Sequence, residues 1–349
     1  MQNFDLRSKV LRTCSSSHTL VHRLTTQPDL EFAVLRREDS KYVEVLIGTV
    51  RVADELAGIP LDTGTGGTTE ILAVVPFHQI HERGFEVIDD AVPLEYLVVE
   101  ERFNILVDDF MSQINIEPVE LRNGRYDQDD SEYAEIVRRV VEDEIGQGEG
   151  ANFVIRRDFH ASVAAWAPSK ALTVFRNLIQ REAGAYWTFY VQTKRHALLG
   201  ASPERHVSSH GGTVCMNPIS GTFRIPEEAL SPAELRTQFN TFLHDRKEIL
   251  ELMMVVDEEL KMIASICPAG GQVIGPFLKR MSRVVHTEYV LEGQSELDPR
   301  EILRKSMFAA TVLGSPVSNA CRVIKKYEKS GRAHYGSVLA LFRMMQKDT

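Results

Sequence analysis

Between residues 30 and 100 the chain alternates short runs of branched and aromatic residues with polar turns. The runs at 32–35, 43–50, 71–75 and 96–99 each predict a strand, because such side chains suit a pleated surface. The segment LDTGTGGTTE (61–70) predicts a loop. After the acidic stretch YDQDDSE, Tyr133, Ile136, Val137, Val140 and Val141 recur at helical spacing. They predict a helix over 132–145 with Ser131 as its N-cap and GQGEG (146–150) as its stop. A strand (152–156), a helix (169–182), two strands (185–192 and 196–202) and a hairpin turning at His210-Gly211-Gly212 follow. The rest predicts a long helical region over 232–266 and shorter helices at 299–308 and 316–327. Strands come in consecutive runs with helices between the runs, the pattern of an α+β fold with largely antiparallel sheets.

Glycines follow a helix and precede a strand in GQGEG, the reverse of a dinucleotide fold. Neither they nor LDTGTGGTTE fit a phosphate-binding loop. With 349 residues and 43% hydrophobic composition, the chain can bury a large core. A net charge of -9 argues against a nucleic-acid partner. The short basic clusters at Arg156-Arg157 and 279–283 suit solvated surface or a small anion. Cys14, Cys215, Cys267 and Cys321 show no CxxC or zinc spacing, so reduced and mostly buried thiols are expected. The first 20 residues lack the apolar run of a signal peptide, and no 18-residue apolar stretch exists to cross a membrane. The expected location is the cytoplasm.

Candidate chemistry begins with HDRKEILELMMVVDEEL. Glu248 and Glu251 are three apart on a helix, about 5–6 Å at Cβ, so both carboxylates leave one side. Two close carboxylates repel unless a cation or proton lies between them, and oxygen-only ligands favour Mg²⁺. A solvated acidic stripe gives the same pattern. In GASPERHVSSHGGTVCMNPISGTFR (200–224), Glu204 falls just past a strand end beside Ser202, where a partly desolvated carboxyl can act as a general acid. Gly221-Thr222 offers backbone N–H groups that can cradle a carboxylate. His286 at a strand start is a candidate proton carrier or a core histidine. Gly314-Ser315 before an amphipathic helix is a candidate anion site or an ordinary helix start.

In order, GASPE, PISGT, D-x-K-E-x-x-E, VHTEY and GSPVSNACRVI span residues 200–324 and together resemble the chorismate-binding family. That family includes anthranilate, aminodeoxychorismate, isochorismate, salicylate and aminodeoxyisochorismate synthases. GEGANFVIRR, MNPISGTFR, VHTEYVLEG and GSPVSNACRVI most resemble its phenazine-pathway branch. The resemblance implies two largely antiparallel sheets packed together with flanking helices. Residues 1–130 would then form a strand-rich N-terminal part of the synthase domain, and 131–349 the chorismate-binding catalytic part.

It further implies that Glu248 and Glu251 form half of a Mg²⁺ site and that Gly221 and Thr222 bind the ring carboxylate of chorismate. Ser202, Gly314 and Ser315 become further substrate contacts, and Glu204 the acid that protonates the departing C4 hydroxyl. Water-adding members carry a lysine base where Asn152 stands, and an amide cannot deprotonate water, so ammonia fits better as nucleophile. Ser220 replaces the lysine of the aminodeoxychorismate branch. His286 matches a histidine tied to pyruvate elimination, but its HTEY context departs from the usual one.

The expected reaction is therefore amination of chorismate at C2 to 2-amino-2-deoxyisochorismate, with anthranilate formation as the alternative. Ammonia would come from glutamine through a glutamine amidotransferase domain or subunit, and a homodimer is among the assemblies allowed. The family continues past the strand near Phe342 with segments not found here, so a fold incomplete at the C-terminus is expected, without a glutaminase domain in this chain. An inactive, shortened family member is the remaining alternative.

Overall fold

The computed structural model describes residues 17–61, 69–228 and 230–344. Cys14, the first 16 residues and most of the expected loop at 61–70 lie outside them.

The chain enters through α1 (Ser17–Thr26), then lays down β1 (Glu31–Arg37), β2 (Tyr42–Ala53), β3 (Thr69–Val75) and β4 (Leu94–Leu106). These are the strands the branched and aromatic runs predict. Helix α2 (Val107–Ser112), β5 (Leu121–Tyr126), α3 (Asp130–Arg139), β6 (Asn152–Phe153), β7 (Phe159–Val163) and α4 (Pro168–Arg181) follow. Next come β8 (Trp187–Gln192), β9 (Ala197–Ser202), β10 (Ser208–His210), β11 (Thr213–Met216) and β12 (Ile219–Arg224). The remainder holds α5 (Pro232–Leu243), α6 (Arg246–Ile266), β13 (Gly271–Arg280), β14 (Val284–Gln294), α7 (Pro299–Ser306), α8 (Ala310–Leu313), β15 (Gly314–Ser315), α9 (Val317–Tyr327) and β16 (Val338–Met344).

Strands β16-β3-β4-β2-β1-β8-β9 form a seven-stranded sheet, and β10-β11-β14-β12 form a second to which β13 adds beside β14. The ladders are antiparallel throughout the described residues. The larger sheet mixes strands from the first 106 residues with β8, β9 and β16.

Alternation along β1 explains its two cores. Phe32 and Val34 pack with Val43, Val45 and the helical residues Leu24, Phe110 and Phe175. Ala33 and Leu35 face the other way, toward Leu46, Leu72 and Leu97. The third core joins β3 and the second sheet to α6, α7 and α9, through Ile71, Met216, Leu291, Val256, Leu303 and Val323. Full burial of one such side chain contributes about 1.5–3 kcal/mol.

Three local expectations are corrected. Asp129, not Ser131, caps α3: it accepts from the Glu132 N–H at 2.8 Å in a capping box, and Ser131 Oγ donates to Asp129 at 2.6 Å. The strand expected over 152–156 is regular only at Asn152–Phe153, where the short β15 gives it a partner. The helical region over 232–266 is two helices, because the Asp245 side chain accepts from the Lys247 and Glu248 N–H groups and starts α6 afresh. Of the cysteines, Cys267 and Cys321 are buried and Cys215 is half-buried, all three as free thiols. No helix among the described residues is long and apolar enough to cross a membrane.

Candidate active site

The new start at Asp245 fixes Glu248 in the first turn of α6 and Glu251 one turn on, facing β12. Ser220 Oγ donates to Glu251 Oε1 at 3.0 Å, and the Thr222 N–H donates to Glu248 Oε2 at 2.9 Å. The register of β12 against β14 shifts between Ser220 and Thr222, and Gly221 sits there at φ 69°. A Cβ at Gly221 would come within 2.7 Å of Thr287 Oγ1, so the bulge requires glycine. His286 joins the same cluster, its Nδ1 3.1 Å from the Gly221 carbonyl and 3.2 Å from Thr222 Oγ1. Five expected site residues are thus brought together: Gly221, Thr222, Glu248, Glu251 and His286.

A cation already lies between the two carboxylates. Lys247 Nζ is 2.9 Å from Glu248 Oε1 and 2.7 Å from Glu251 Oε2. Those hydrogen bonds, Glu251's foremost, raise its pKa further. The pair is therefore a partly covered site in which one ammonium offsets half of the negative charge, rather than a solvated stripe. One detail corrects the sequence reading: the Thr222 N–H, expected to cradle a ligand carboxylate, holds that of Glu248.

A second cluster lies deeper. Strand β9 ends at Ser202, whose Oγ accepts from the Glu204 N–H at 3.4 Å. Glu204 Oε2 accepts from Thr311 Oγ1 at 2.9 Å, while Oε1 is buried without a partner among the described residues. Burial pushes the Glu204 carboxyl up to about 7, with Thr311 opposing. Glu259 on α6 is 0% exposed, with neither carboxyl oxygen hydrogen-bonded among the described residues. Burial, and then the charge of Glu204, hold Glu259 well above the carboxylate range. Ser202, Glu204 and His206 line a cavity of about 750 Å³ together with Phe189, Phe308 and Leu339. Its size suits a small organic ligand.

A third cluster joins Asn152 to Gly314 and Ser315 through the β6–β15 pairing. Gly314, at φ 117°, could not carry a Cβ, which would fall 2.1 Å from the Asn152 carbonyl. The expectation of free N–H groups at this helix start is overturned: Ser315 Oγ donates to Glu258 Oε2 at 3.0 Å and the Val317 N–H to Glu258 Oε1 at 3.3 Å. The protein's own carboxylate fills the anion position.

Helix α6 serves all three clusters, with Glu248 and Glu251 at its start, then Glu258 and Glu259. Sequence reasoning missed Lys247, His206, Thr311, Glu258 and Glu259. The available signal was the pair Glu258-Glu259 between the apolar stretches Val255-Val256 and Met262-Ile263, where two acids cannot all face water.

The Glu248/Glu251 donor set fits a hard divalent cation: two carboxylate oxygens are already spaced around one positive charge, and Lys247, 71% exposed, can leave. Another group of ligand types, His78, Asp89 and Asp90, falls within 4.8 Å. Its carboxylates already bind the N–H groups of Ala91, Val92 and Ala333, as turn residues do.

A sequence profile of chorismate binding enzymes matches residues 109–347. A protein named anthranilate synthase, phenazine specific, from Pseudomonas chlororaphis is 46% identical over 332 residues, covering 94% of this chain and 51% of that protein. Its namesake from Pseudomonas fluorescens is 46% identical over 92% of this chain and 51% of its own length. The chain thus spans about half the length of these relatives. The menaquinone-specific isochorismate synthase of Escherichia coli shares the fold, with a TM-score of 0.71 and 15% identity over 95% of this chain and 80% of that one. Component I of anthranilate synthase from Streptococcus pneumoniae does so with a TM-score of 0.66, over 96% and 87%.

Proposed function

This chain belongs to the chorismate binding enzyme family, and from that premise we propose that it aminates chorismate at C2 with loss of the C4 hydroxyl. The product would be 2-amino-2-deoxyisochorismate. The observation that carries this reading is Glu204, a carboxyl lining the cavity with no cation paired to it among the described residues and a pKa pushed up to about 7. Such a group still holds its proton near neutral pH and can give it to a departing hydroxyl. Two relatives named for phenazine-specific anthranilate synthase support the choice of reaction.

Glu248 and Glu251 would hold Mg²⁺, which when bound would supply positive charge toward the ring carboxylate of chorismate. Ser220 and the Thr222 N–H hold the two metal-binding carboxylates in place. Ser202 steadies the turn that carries Glu204, and Glu204 protonates the C4 oxygen as ammonia adds at C2. Asn152, an amide, does not act as a base toward that nucleophile. His286 is held by Gly221 and Thr222 on β14 and is the candidate for any further step that eliminates pyruvate. Ammonia would come from a glutamine amidotransferase domain or subunit, in a cytoplasmic biosynthetic setting.

The test is product identification by mass after incubation of the chain with chorismate, Mg²⁺ and ammonium. Aminodeoxyisochorismate is the expected product, lost on chelation and in Glu251→Gln. Anthranilate would assign the elimination step as well, and chorismate returned untouched by folded protein would overturn the proposal.

A further inference from the structure

Glu259 has no role in the reaction just described, yet it is among the most buried carboxyls in the molecule. It comes from the middle of α6, where its neighbour Glu258 is tied to Ser315 just after α8, while Glu204 is tied to Thr311 on α8; of the two carboxyls, Glu204 lines the cavity. Glu259 Oε1, Glu259 Oε2 and Glu204 Oε1 are three buried carboxyl oxygens without a partner among the described residues. Two carboxylates cannot both stay ionised in such surroundings, because nothing offsets their repulsion.

Among the described residues no cation hydrogen-bonds to either carboxyl. Thr311 Oγ1, from α8, is committed to Glu204 Oε2. Both His206 ring nitrogens are buried, and burial and then the Arg83 charge lower its pKa to about 4, which leaves it neutral. Arg83 itself donates through Nη1 to the Met307 carbonyl at 2.6 Å. Glu258, next to Glu259 on the helix, is engaged by Ser315, Val317 and Lys261.

We propose that Glu204 and Glu259 act as one proton-sharing carboxyl pair, in which Glu259 is a positioning residue that stays neutral and donates its O–H to the free oxygen of Glu204. The proposal rests on the reading of Glu204 as the acid. When Glu204 passes its proton to the departing hydroxyl oxygen, the carbon–oxygen bond breaks and water leaves. The electron pair of the O–H bond stays on Glu204 as a carboxylate. That new charge forms inside the protein, and the O–H of Glu259 turns it from an unpartnered buried anion into a hydrogen-bonded one. The pair therefore carries at most one negative charge through the cycle, and it titrates in two separate steps.

Infrared spectra of the full chain, recorded from about pH 5 to pH 9, read the carbonyl band of protonated carboxylic acids without any substrate. The wild type is expected to show two buried acids at the low end, to lose one through neutrality and to keep the other. Glu259→Gln should remove the band that persists and leave the Glu204 band titrating near neutrality, since an amide N–H replaces the O–H donor. Glu259→Leu, with no donor, should move the Glu204 band to higher pH by about one unit and slow turnover about tenfold, with glutamine restoring both. A wild type without a protonated buried acid overturns the pair even where chorismate is consumed. So do leucine and glutamine variants in which Glu204 titrates alike. The expected spectra from a chain that leaves chorismate untouched would uphold the pair and sink the functional reading alone.

Discussion

Helix α6 presents carboxylates to two surroundings, and the molecule neutralises them in opposite ways. At its start, Glu248 and Glu251 meet an ammonium group and two hydrogen-bonding neighbours, Ser220 and Thr222, near the surface. Eight residues beyond Glu251, Glu259 is fully buried, feels the charge of Glu204 and has no hydrogen-bond partner among the described residues. The first pair is partly offset by one positive charge and so can exchange one cation for another. The second is balanced by retained protons and so can give one away. Identical side chains thus become a metal site and an acid through the charge and water around them.

The comparison breaks most directly at Glu204. Glu204→Gln keeps the shape and the Thr311 hydrogen bond but has no proton to donate, so turnover should fall by about 100- to 10,000-fold. Mg²⁺ binding measured by calorimetry should stay as it was, because the ion's ligands lie in the other cluster. Equal losses in turnover and Mg²⁺ affinity would show that the two regions are not separate.

A smaller effect concerns stability. Glu204 has a folded pKa near 7 against 4.5 for the ordinary carboxyl, and Glu259 is raised as well. Between those values the folded chain binds more protons than the unfolded chain. Stability is therefore greatest below about pH 4.5 as far as this pair is concerned, and it declines as pH rises through 7, by at most about 1.4 kcal/mol per unit for each group. Denaturant unfolding at several pH values should show that decline, and Glu204→Gln with Glu259→Gln should flatten it. A slope unchanged in the double variant would mean that the pair is ionised in the folded state.

The two regions also differed in how far the sequence revealed them. Glu248, Glu251, Gly221, Thr222 and His286 were legible because a short motif in each of three elements carries them, and β12, β14 and α6 bring those motifs together. Glu204 was legible from its place just past a strand end. Glu259 was less so: it belongs to no motif, and its one signal was its place beside Glu258 between apolar stretches of α6. The same holds for Glu258 at the start of α9, since a sequence cannot say that a carboxylate from another helix will occupy a set of free N–H groups. The main strands were visible as runs of branched residues, whereas the break between α5 and α6 turned on one capping side chain, Asp245. A cap of that kind changes little in composition and everything in where Glu248 and Glu251 point.

Lys247 offers the finest test of the contrast. Its ammonium is largely exposed, so its ion pairs are screened and Lys247→Ala should change stability by less than about 1 kcal/mol. The effect on the site is of a different kind. If the ammonium occupies the place a divalent ion takes, its removal leaves two repelling carboxylates with a vacancy between them, and Mg²⁺ no longer has to displace a competitor. Calorimetry should then report tighter Mg²⁺ binding in Lys247→Ala, and added monovalent salt should weaken the wild type's binding less than the variant's. Weaker binding in the variant would mean instead that Lys247 holds Glu248 and Glu251 in position for the ion, a supporting role with no competition in it. No such exchange is open to the buried pair, where the group to be replaced is a proton.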